Sequence, residues 1–179
     1  MYKFTFVLTD EDYFEFNKHQ VLTSPSGKKN LAAYRLLLPL VMFIILLGFV
    51  VAKADTTLIV IELIWIVIMS ILWLIFSKTL YMRALKKRIG ALAKEGRLPY
   101  DKETTLTFDD EIMTEVTPEK ETKTKYSMIE RITTTDKAIY IHLGSVQAYI
   151  IPLKVFSDAA EIDRFIQFIK TKMSETSVK

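Results

Sequence analysis

The chain has 179 residues, half of them hydrophobic, and 24 Lys or Arg stand against 21 Asp or Glu for a net charge of +3. That length holds one modest domain beside a membrane segment. There is no Cys, which excludes disulfides, thiolate metal sites and thiol nucleophiles.

The first element is a strand. From Tyr2 to Leu8, Tyr2, Phe4 and Phe6 alternate with Lys3, Thr5 and Val7. Thr9 or Asp10 then caps a short helix through Gln20, with Asp10, Glu11 and Asp12 at its positive end and Phe14 and Phe16 as apolar contacts. Ser24-Pro25-Ser26-Gly27 reads as a loop. These residues form an amino-terminal segment, 1–30.

Residues 31–77 predict a two-helix transmembrane hairpin. Leu36 to Ala52 is uncharged and spans roughly 26 Å as a helix, or ~30 Å with its flanks. Thr56 to Ser77 spans roughly 33 Å and carries one charge, Glu62. Only Lys53-Ala54-Asp55 separates the two. The first run lies too far in for a signal peptide and lacks a small-residue cleavage site after it. Pro39 is placed in the opening turn of its helix, where a missing N–H costs little. Gly48 marks a close approach of the partner helix. Tyr34, Trp73, Phe76 and Tyr81 suit a membrane interface.

Charge is segregated along the chain. Lys78, Arg83, Lys86, Lys87, Arg88, Lys94 and Arg97 face only Glu95, so 78–97 is a basic juxtamembrane helix, stopped near Gly96 and Pro99. From Asp101 onward, 14 acidic residues outnumber 11 basic ones. Basic charge confined beside the membrane gives no nucleic-acid signature. Lys28, Lys29 and Arg35 flank the first helix, while Lys53 alone lies in the turn. That asymmetry predicts a multi-pass protein with both termini in the cytoplasm.

Residues 100–173 alternate instead. Strands are predicted at Leu106–Phe108, Ile112–Val116, Glu121–Tyr126 (an edge), Met128–Thr134, Ala138–Leu143 and Val146–Ile151, with turns at Asp109-Asp110-Glu111 and Gly144-Ser145. Asp158 and Glu161 cap a final helix with Ile162, Phe165, Ile166 and Ile169 inward, and Ser174 to Lys179 read as a frayed tail. The fold class expected is a membrane α-helical hairpin plus a cytoplasmic α+β domain, an antiparallel β barrel or sandwich closed by a carboxy-terminal helix. The Tyr2 strand lacks a sheet of its own and is expected to complete this one.

The chain resembles the YcxB-like family of bacterial membrane proteins over nearly its full length. The resemblance rests on Leu8-Thr9-Asp10-Glu11-Asp12-Tyr13 after the aromatic strand, the hairpin, Tyr126-Ser127-Met128-Ile129, Ile139-Tyr140-Ile141, Ala148-Tyr149-Ile150-Ile151-Pro152, Phe156 and Phe165. Members often carry Trp at the position of Met128. The resemblance implies a bacterial plasma-membrane location, a cytoplasmic domain like a bacterial pleckstrin-homology fold, and no established activity.

Glu62 stands out as an intramembrane polar contact. Six residues inside the boundary, or roughly 9 Å, an unpaired charge costs on the order of 2 kcal/mol or more. It either serves an oligomer core, a partner's cation or a proton, or it snorkels, pairs with Lys53 or is protonated. The second set is favoured, since two helices cannot enclose a pore alone. Lys78, Arg83, Lys86, Lys87 and Arg88 form the lipid-headgroup contact, each cation contributing roughly 1 kcal/mol with anionic lipid. They serve as a topology signal resting on headgroups before they serve as a sensor.

No catalytic, metal or cofactor site is expected. His19 and His142 share no spacing and read as surface residues. The acidic group Asp10, Glu11, Asp12 and Glu15 is explained by a helix start. Phosphate loops, zinc spacings and nucleophile elbows are all missing from the sequence. The expected function is a membrane-anchored interaction or scaffold module whose partners are membrane lipids and a protein or its own copies. The alternatives are an oligomeric transport subunit using Glu62, an anionic-lipid sensor and, last, an enzyme.

Overall fold

In the computed structural model, which describes residues 1–98, 103–144 and 147–177, the amino-terminal alternation forms strand β1 (Tyr2–Val7). Its partner lies far along the chain. β1 pairs antiparallel with β2 (Glu103–Phe108), in register from Tyr2 opposite Phe108 to Val7 opposite Glu103. β2 continues to β3 (Ile112–Val116) and β4 (Glu121–Lys125), giving a four-stranded sheet in the order β1-β2-β3-β4. β4 is an edge, as its polar sequence requires.

A second sheet holds β5 (Arg131–Thr134), β6 (Ala138–His142) and β7 (Ala148–Pro152) in the order β5-β6-β7. The barrel expectation is corrected here: the two sheets are separate ladders and no closed barrel forms. The chain leaves β4 through a 3₁₀ turn, Tyr126–Met128, so the strand expected from Met128 starts only at Arg131. β7 ends at Pro152, whose missing N–H cannot extend a ladder.

Both sheets contribute to one core, together with helix α4 (Ala159–Ser177). Phe4 packs on Phe156 at 4.8 Å and Phe165 at 5.2 Å between ring centroids, and Phe108 meets Phe165 at 4.9 Å. Each fully buried aromatic of this kind stabilises the fold by roughly 1.5–3 kcal/mol. α4 starts on a reciprocal cap, with the Glu161 amide donating to Asp158 Oδ1 at 2.6 Å and the Ser157 amide to Glu161 Oε2 at 2.7 Å. Its helix runs through Ser177 where fraying was expected from Ser174, helped by a Lys172–Glu175 pair at 3.2 Å.

Helix α1 (Asp10–Thr23) is capped by Thr9, whose hydroxyl accepts from the Asp12 amide at 3.2 Å while Asp12 Oδ2 accepts from the Thr9 amide at 3.0 Å. Helix α2 (Pro25–Val51) begins where a loop was expected. Pro suits the first helical position, and the Ser24 hydroxyl accepts from the Gly27 amide at 3.0 Å. Gly27 is required because a Cβ there would come within 2.5 Å of the Gln20 carbonyl oxygen.

At its far end α2 closes in a Schellman motif, with the Ala54 amide on the Phe49 carbonyl and Lys53 at φ +53°. Asp55 caps helix α3 (Thr56–Lys94) by accepting from the Thr57 amide at 2.8 Å. The basic segment continues the second apolar helix without a break, as its uninterrupted helical pattern predicts. Gly96, at φ +65°, stops it with a second Schellman pair, the Arg97 amide donating to the Leu92 carbonyl at 2.9 Å. Pro99, Tyr100, Ser145, Val146 and the last two tail residues, which earlier expectations included, lie outside the described residues.

The chain divides into two compact units, Met1–Asn17 with Ile89–Lys179, and Lys18–Arg88. The first is discontinuous and β1 completes it. In the full chain, Phe4→Ala is expected to cost about 3 kcal/mol or more. Hydrogen exchange should then speed across β2 and β6 together; unchanged protection in β6 would show that β1 is not part of that cooperative unit.

Candidate functional site

In the helical unit, α2 and α3 are each long and apolar enough to cross a membrane, and their most apolar stretches are not buried within the protein. Within the apolar part of α3, the residues withdrawn from the surface follow one stripe, Ile59, Glu62, Ile66, Met69, Trp73 and Ser77, at spacings of three and four, with Ser70 beside it. Ser77 is fully buried. On α2 the corresponding buried residue is Leu46 rather than Gly48, which has nothing within 4 Å of where a Cβ would stand. The expected close approach at Gly48 is therefore corrected.

Pro39 is corrected as well. Because α2 starts at Pro25, Pro39 lies in the helix interior, and the carbonyl of Arg35 loses the amide that would bond it. Trp73 supplies the replacement: its indole Nε1–H donates to that carbonyl at 2.9 Å across the hairpin. Tyr34 packs on Trp73 and on Tyr81, each at 5.2 Å between centroids. Tyr34, Trp73 and Tyr81 form one cluster that ties α2 to α3.

The stripe containing Trp73 faces α2, and Glu62 lies on it. Glu62 is half-buried and makes no hydrogen bond or ion pair among the described residues, so of the alternatives weighed for it, pairing with Lys53 is not seen. The basic residues divide. Arg83, Lys86 and Lys87 share an arc of about 100° on α3. Lys78 and Arg88 each lie roughly 140° round the helix from Arg83. All five are exposed.

In the β unit a cleft of about 480 Å³ opens between the sheets. Phe6, Phe16, Leu106 and Ile150 contribute its apolar wall, and Glu115, Lys120, Lys123 and Gln147 its polar one. Thr124 bridges the sheets beside it through a 2.8 Å hydrogen bond with the Tyr149 hydroxyl. Burial holds that hydroxyl above its ordinary range, so it stays protonated and able to bond. Met128, where a Trp is common in the resembled family, is 57 % exposed at the lip.

His142 is fully buried, correcting the surface assignment. Both faces of β6 are covered, because Phe16 of α1 packs over Tyr140 at 5.2 Å and His142 at 6.4 Å. His19 is half-buried on α1. The acidic start of α1 also pins that helix: Glu15 pairs with Lys137 at 3.0 Å and Asp12 with Lys154 at 3.8 Å. Asp110, in its turn, meets Lys172 at 3.2 Å. Among the described residues, no group of His, Asp and Glu is placed to hold a metal ion.

The YcxB-like protein family matches residues 108–169, from the end of β2 into α4. The family resemblance read from the sequence holds over that stretch. No curated protein and no solved structure matches the chain. The inter-sheet cleft is the feature that spacing did not announce, since its walls come from β1, α1 and four distant strands.

If Trp73 replaces the donor that Pro39 removes, the two positions are coupled. Trp73→Phe should cost about 1 kcal/mol from the lost hydrogen bond, on top of packing, with Pro39 present. In a Pro39→Ala background the restored amide bonds Arg35, and that part of the cost should vanish. Thermal unfolding of the four proteins in nanodiscs measures it; strictly additive effects would reject the exchange.

Proposed function

We propose that the chain is a membrane-anchored interaction module: a cytoplasmic β domain tethered by a hairpin, recognising a protein partner or a second copy, without catalysis. The observation that carries this reading is the β1–β2 register, because it makes the hairpin an insertion within a folded domain. An anchor spliced between paired strands returns the chain to the side it left. Cations on both flanks of the hairpin support the cytoplasmic side of a bacterial plasma membrane for both termini. The four-stranded and three-stranded sheets with one carboxy-terminal helix support a pleckstrin-homology-like domain.

The cleft supports recognition, since an apolar wall with a polar rim is the usual anatomy of a binding surface. The place of Glu62 on the α2-facing stripe argues against a pore shared between copies. A photo-crosslinking residue at Met128 in the intact membrane protein tests the reading. It should capture a discrete protein or a second copy, whereas the same residue at Arg164 on α4 should not. Monomer alone at both positions would count against it.

A further inference from the structure

The helical unit carries a groove of about 510 Å³ on the outside of the hairpin, and its lining changes character along its length. Leu38, Met69, Leu72, Trp73, Phe76 and Leu80 make it apolar, and the polar residues Thr79 and Arg83 lie at one end. On α3 these positions recur at spacings of three and four, so they form one continuous strip. Leu72, Phe76 and Leu80 are 43 %, 56 % and 39 % exposed, leaving the strip open along its side.

The dimensions fit one leaflet. From Met69 to Leu80 the helix rises about 17 Å, close to the ~15 Å of half a bilayer's hydrocarbon. Arg83 lies about 4.5 Å further, in the headgroup layer. Tyr81, one residue past Leu80, packs on Tyr34 at the same end of the hairpin.

Charge decides which lipid fits. Neither α2 nor α3 beyond Glu62 contains an acidic residue, so the charge that these two helices carry at this end is all positive. Arg83 shares its exposed arc with Lys86 and Lys87. Arg35, three residues before Leu38 on α2, has its Nε buried without a hydrogen-bond partner among the described residues. A zwitterionic headgroup would bring a second cation into this field; an anionic one would not.

We infer that this groove holds one anionic glycerophospholipid, an acyl chain along Met69, Leu72 and Phe76 and the phosphate on Arg83 and Thr79. This rests on the membrane-spanning reading of the hairpin. It goes beyond headgroup attraction by the basic helix, because the acyl chain and the phosphate are bound by one site.

Bromolipid quenching separates the two levels, since the chain has two tryptophans, Trp65 in mid-span and Trp73 in the groove. With Trp65→Phe, Trp73 in nanodiscs should bind dibrominated phosphatidylglycerol about fivefold better than dibrominated phosphatidylcholine, the equivalent of about 1 kcal/mol for one near-surface cation. Arg83→Gln should abolish that preference, while Lys86→Gln with Lys87→Gln leaves most of it. With Trp73→Phe, Trp65 should be quenched equally by both lipids, reporting insertion alone. Equal quenching of Trp73 by both lipids would overturn the groove site. So would a preference that survives Arg83→Gln and disappears with the two lysines. No quenching of either tryptophan would instead reject the membrane-spanning reading.

Discussion

The rest of the structure depends on the pairing of β1 with β2. Thr5 and Thr105, 100 residues apart, face each other with their hydroxyls 2.9 Å from one another. A flexible loop of that length would cost about 4 kcal/mol to close beyond a constant. The hairpin reduces that cost by doubling back on itself. What repays the remainder is aromatic burial, since Phe4 and Phe6 enter a core already containing Phe108, Phe156 and Phe165. Six described strands follow the hairpin, but without β1 the four-stranded sheet would expose the edge of β2 and lose the ring contacts of Tyr2 and Phe4.

The helical unit solves a different problem with side chains. A proline inside α2 leaves the Arg35 carbonyl without its helical donor. The indole of Trp73 supplies the bond, and its ring also joins Tyr34 and borders the outer groove. One residue thus joins the two helices and lines the groove outside them. Glu62 is half-buried on the same stripe with no partner among the described residues.

Much of this was legible in the sequence because it follows from period and caps. The alternation at Tyr2, the two apolar runs, the Asp158–Glu161 cap and the switch to strands after the basic segment all express local chemistry. Local signals also misled. Ser24-Pro25-Ser26-Gly27 has the composition of a loop, yet the same Ser and Pro start a helix when an apolar run follows. His142 looked exposed because alternation identifies one buried face, and Phe16, from a helix far away in sequence, packs over the other. The cleft and the groove were not legible, since each is defined by residues that meet only in three dimensions. Split sheets in place of a barrel reflect the 3₁₀ turn at Tyr126, where the tyrosine hydroxyl donates to the Asp109 carbonyl at 2.7 Å.

The direct test uses the absence of cysteine from the chain. Cysteines replacing Thr5 and Thr105 stand opposite each other across the two strands, at positions whose side chains already touch. Mild oxidation of the full-length double variant in membranes should give an intramolecular disulfide in high yield, and a Thr5→Cys, Glu115→Cys control should not. Failure of the first pair to close within one chain, or closure only between chains, would contradict the insertion of the hairpin between paired strands.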